Sequence, residues 1–70
     1  MYTLYKYLEQ VVGAYKENND GGRIVFNFTD PANTDYQNFK KEVLAGAELQ
    51  DADGNVMTQE QADAFIATLP

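Results

Sequence analysis

The sequence predicts an α+β fold, and three stretches carry the prediction. Residues 1–15 repeat apolar side chains at three- and four-residue intervals, and residues 23–30 alternate them. Further along, residues 47–58 set an Asp-Gly pair between two short strand-like runs. The expected architecture is a small antiparallel or mixed three-stranded sheet packed against two to three helices, in the order α-β-α-β-β-α. Strand order is not set by the sequence. The chain has 70 residues, so 1–70 is read as a single domain, one that buries only about 60% of its unfolded surface and is correspondingly marginal.

The first element is expected to be a helix. Met1, Leu4, Tyr5, Leu8, Val11, Val12 and Tyr15 form one stripe of a 3.6-residue period, with Lys6, Glu9, Gln10, Lys16 and Glu17 opposite. Asn18 to Gly22 would stop it, because Asn and Gly tolerate the left-handed conformation. Residues 23–30 follow as a strand with Ile24, Phe26 and Phe28 on one side, ended by Asp30-Pro31. A helix from about Asp35 to Ala45 comes next, with Thr34 and Gln37 as a capping box, Tyr36, Phe39 and Val43 as its buried stripe, and Gly46 as its stop. Thr58 and Gln61 repeat the capping box before a last helix whose apolar side is Ala62, Phe65, Ile66 and Leu69, with Pro70 closing the chain.

The stretch from Leu49 to Glu60 admits two readings. Asp51, Asp53, Gly54, Val56 and Glu60 fall where a calcium-binding EF-hand loop places two ligands, its glycine, its aliphatic and its bidentate glutamate. The first ligand position is then Leu49, which has no side-chain oxygen. A hairpin explains more: Asp-Gly between short extended runs is a strong turn signal. On that reading Leu49 and Val56 point inward and Glu48 and Gln50 outward. A degenerate calcium module is kept as a third functional reading, and no metal or other cofactor is expected.

Composition excludes much chemistry. The chain contains no histidine, cysteine, serine or tryptophan. Ser-His and Cys-His nucleophile pairs, imidazole bases and Cys- or His-built zinc sites therefore have no residues to use. No phosphate-binding glycine motif is present. Paired acids such as Asp51 with Asp53 could serve acid–base chemistry only in a deep dry pocket, which so small a domain rarely supplies. We expect no enzyme.

Charge is unevenly placed. The formal net charge is −6, and all five bases lie in residues 1–41, where five acids balance them. Residues 42–70 carry Glu42, Glu48, Asp51, Asp53, Glu60 and Asp63 with no base. Direct nucleic-acid binding needs cations to displace condensed counterions. A protein partner with a basic surface is favoured instead. The leading expectation is a non-enzymatic binding or inhibitor protein whose acidic face, formed by those six carboxylates, occupies a nucleic-acid-binding surface. Size and charge are similar to those of small acidic phage and mobile-element proteins of the anti-CRISPR and anti-restriction kind, an analogy of bulk properties alone.

The second reading is a structural or assembly module, a homodimer through the first helix, with Tyr2, Tyr7 and Gly13 at its contact. A monomer or weak homodimer is expected. There is no long apolar run and no basic-then-apolar leader, so a cytoplasmic location without membrane contact is expected. The opening methionine and the lack of tag or linker suggest a complete small gene product.

Overall fold

The computed structural model describes residues 1–69; the closing role expected of Pro70 lies outside them. The elements are β1 (Tyr2–Tyr7), β2 (Gln10–Glu17), β3 (Arg23–Asn27), α1 (Thr34–Leu44), β4 (Leu49–Gln50) and α2 (Gln59–Ile66). The α+β class holds: a four-stranded mixed sheet and two helices make a small compact fold. The expected order fails at the N-terminus, where a β-hairpin stands in place of the first helix.

The reason lies in the turn and in the side chains beside it. Thr3 pairs with Tyr15 and Tyr7 with Gln10, leaving Leu8 and Glu9 as a two-residue loop. Both have positive φ, 51° and 67°, as a type I′ turn requires to match the strands' twist. Neither is the Asn or Gly that normally announces such a turn. The helical stripe misleads because Leu8 and Met1, two of its members, are 80% and 60% exposed. The period that governs is two: Tyr2 and Leu4 are buried while Thr3 and Tyr5 are only half-buried. Tyrosine, threonine and valine favour this pleated surface. A bulge then shifts the phase, since Tyr5 faces Gly13 but Lys6 faces Val11, and Val12 is the extra residue. The bulge brings Val11 against the core.

The sheet order is β3-β2-β1-β4. β2 pairs antiparallel with both neighbours, while β4 runs parallel to β1, with Tyr2 opposite Leu49. α1 carries the chain from one sheet edge to the other, as a parallel connection needs. Asn18 to Gly22 close the β2–β3 turn rather than a helix, with the Asn18 N–H donating to the Gly22 carbonyl at 2.7 Å.

Both helices cover one side of the sheet. Tyr36, Phe39 and Val43 of α1 are buried as the pattern predicts. The α1 cap lies one residue before the expected capping box: Asn33 accepts from the Tyr36 N–H, and the Gln37 side chain donates to the Pro31 carbonyl instead. Phe39 centres an aromatic cluster, its ring 5.0 Å from Tyr2, 5.3 Å from Phe26 and 5.7 Å from Phe28. The α2 capping box of Thr58 and Gln61 forms as expected, and Ala62 and Ile66 are buried. Among the described residues no helix is long and apolar enough to cross a membrane.

Candidate functional site

The six acidic residues hang on three elements that meet where α1 ends and α2 begins. Glu42 is in the last turn of α1, Glu48 leads into β4, Asp51 and Asp53 lie in the turn after it, and Glu60 and Asp63 are in α2. Gln59 holds the junction together. Its side-chain amide donates to the Val43 carbonyl at 3.0 Å and to Asp63 at 2.7 Å, tying the start of α2 to the end of α1. The Ala47 N–H donates back to the Glu42 carbonyl, and the Tyr2 N–H to the Glu48 carbonyl, so the intervening loop is fixed at both ends.

Asp51 to Asn55 fold as a turn. The Asp51 N–H donates to the Asn55 carbonyl, and Asp51 Oδ1 accepts from the N–H groups of both Asp53 and Asn55 at 2.9 Å. Gln50 and Val56 form an antiparallel bridge across it, and Gly54 takes φ 89°, which suits glycine. Leu49 points inward as expected, but Val56 does not; it is 55% exposed. A bridge of one pair follows the turn, too short to carry Val56 back under the helices. Asp51 carboxylate oxygens are spent on the turn, and hydrogen bonds from the Asn55 backbone, then Asp53, hold its pKa below the ordinary value against a smaller opposing effect of burial. Among the described residues no group of three or more His, Cys, Asp or Glu is gathered to hold a metal ion.

The six carboxylates are thus not equivalent. Glu42 accepts from the hydroxyl of buried Tyr2, Asp51 closes its turn, and Asp63 accepts from Gln59. Glu48, Asp53 and Glu60 are exposed, and their carboxylates have no partner among the described residues. Sequence spacing could not separate the two sets, because a carboxylate's partner is set by the tertiary fold. Cations are not wholly absent nearby either: Lys6, from β1, is close enough to favour the charged form of Asp51.

The alternative contact of Tyr2, Tyr7 and Gly13 is not brought together. The helix that would have aligned them does not exist. Tyr2 is 3% exposed in the core, Tyr7 is 67% exposed beside the hairpin turn, and Gly13 is buried in β2. What approaches Gly13 is Tyr5 of the same chain. The Tyr5 ring lies over the glycine and its hydroxyl donates to the Phe26 carbonyl at 3.4 Å.

A concavity of about 310 Å³ is lined by Met1, Thr3, Tyr15, Lys16, Glu17 and Gln50, away from the α1–α2 junction. It gathers one acid, Glu17, and one base, Lys16, and among the described residues no polar side chain is buried. No family model, curated protein or solved structure matches the chain.

Proposed function

We propose that this chain is a non-enzymatic protein-binding protein, an inhibitor of a cytoplasmic, basic nucleic-acid-binding partner, and that its acidic end occupies the surface meant for nucleic acid. The observation that carries the reading is the trio Glu48, Asp53 and Glu60, exposed and unpartnered on three successive segments around one rigid junction. Unsatisfied carboxylates held by a tight turn and a capped helix present negative charge without having to be ordered on binding. Glu42, Asp51 and Asp63 add to the field while serving the fold. Small acidic phage-encoded inhibitors of nucleic-acid enzymes supply the analogy of size and charge.

The test pairs two variants of equal charge. Glu48→Gln with Glu60→Gln should abolish capture of basic nucleic-acid-binding proteins from nuclease-treated bacterial lysate. Glu9→Gln with Glu17→Gln should leave capture intact. Duplex DNA added in excess should release whatever the wild type holds. Equal losses from both pairs would mean a general charge effect, and capture insensitive to DNA would refute occupation of a nucleic-acid surface.

A further inference from the structure

The two edges of the sheet are finished differently. At one edge β4 is only Leu49–Gln50, and the Asp51–Asn55 turn folds Val56 back onto Gln50. A short strand covered by its own turn is a standard guard against pairing with another chain. At the other edge β3 is five residues long, regular in its register with β2, and free of proline, lysine and bulge. The one guard there is the charge of Arg23 at its first position, and Glu17 pairs with it.

Hydrogen-bond phase tells which backbone groups that edge displays. The Phe28 N–H donates to Val12 at 2.9 Å and the Asn18 N–H to Gly22 at 2.7 Å, one bond at each end of the β2–β3 ladder. Both are in phase with the Ala14–Phe26 pair. Antiparallel strands alternate hydrogen-bonded and non-bonded pairs. Ile24, Phe26 and Phe28 therefore direct their N–H and C=O groups at β2, and Arg23, Val25 and Asn27 direct theirs outward. The Val25 side chain is 56% exposed on the uncovered side of the sheet, opposite Tyr15, and the Arg23 guanidinium lies 4.4 Å from the Tyr15 ring centre.

We infer that β3 is the homodimer interface: two copies pair antiparallel about Val25, extending the sheet across a two-fold axis. This pairing uses every outward group. Val25 meets Val25 of the second copy, and Arg23 and Asn27 meet each other's counterparts, the self-complementary pattern an isologous contact requires. Charge selects a second copy of this chain over an acidic or basic partner strand. Two molecules of charge −6 repel, yet β3 carries no acid, and its one charge, Arg23, is paired with Glu17 at 3.1 Å. Glu48, Asp51 and Asp53 flank β4, the strand at the opposite edge. The inference stands independently of the acidic-end reading.

Residue-resolved amide hydrogen exchange tests it with sedimentation equilibrium. In dilute solution the amides of Ile24, Phe26 and Phe28 should be protected and those of Arg23, Val25 and Asn27 should exchange freely. At millimolar concentration, where sedimentation reports a dimer, the second set should become protected. Val25→Lys sets two cations opposite each other and should weaken dimerisation about tenfold or more. Val56→Lys, which adds the same charge at an equally exposed valine, should not. A monomer at every concentration overturns the proposal, as does a dimer in which the Arg23, Val25 and Asn27 amides stay unprotected. Equal weakening by both lysine variants would also overturn it. So would protection of the three amides only on adding another protein's peptide, with the chain itself monomeric.

Discussion

Gly13 shows how much one position can decide. A Cβ there would lie well inside contact distance of the Phe26 carbonyl oxygen and the Tyr5 ring. The carbonyl belongs to a ladder and cannot yield, so the position admits hydrogen alone. Gly13→Ala should destabilise the fold by about 1–3 kcal/mol through overpacking, read as a lower midpoint in urea. Gly22→Ala, where the added carbon meets only the flexible ends of Asp20 and Asn18, should cost less. In the sequence Gly13 is expected at the contact of a helix-mediated dimer. It was in fact a sign of a strand, where a glycine marks the close approach of another group.

The β1–β2 hairpin is held by tertiary packing against its own turn preference. Leu8 and Glu9 are helix formers held at positive φ, a region that costs roughly 1–2 kcal/mol for such residues. Burial of Tyr2, Leu4 and Ala14 under α1 outweighs that cost. Replacing Leu8 with Asn and Glu9 with Gly should therefore stabilise the protein, by about 1–2 kcal/mol in thermal or denaturant unfolding. An unchanged or lowered midpoint would mean the loop is not under conformational strain. The same conflict explains why the hairpin was hidden: its turn lacks the usual residues, and its strands happen to repeat apolar side chains every three or four positions. By contrast β3, α1 and α2 were readable because alternation, stripe and cap agreed in each. The α1 cap moved by one residue, since Asn33 competes with Thr34 for the same role, and β3 stops at Asn27, three residues short of the expected end.

The molecule as a whole is joined across its layers by two core tyrosines. Burial, and then the hydrogen bond to Glu42, raise the pKa of Tyr2 well above the ordinary phenol value; burial alone raises that of Tyr36. A group that holds its proton more tightly when folded stabilises the native state below its unfolded pKa. That contribution is lost as pH rises past about 10 toward the folded values. Global stability should accordingly fall in alkaline solution from about pH 10 upward. Tyr2→Phe, which keeps the ring and removes the titrating hydroxyl, should flatten that fall in denaturant midpoints measured across the range. The fold class and most of the core followed from pattern. The acidic site was readable as composition, but its division into free and committed carboxylates was not. Which of them meets Tyr2, a turn or Gln59 depends on residues up to 40 positions apart.

The parallel pairing of β1 with β4 also sets an order in time. β1 lies between β2 and β4, yet its partner residues, Leu49 and Gln50, are synthesised long after Tyr2 and Thr3. On the ribosome the β1–β2–β3 meander can assemble early. The flank of β1 at Tyr2 and Thr3 then stays bare until Gln50 has emerged, and the nascent sheet meanwhile presents that border as well as the β3 edge.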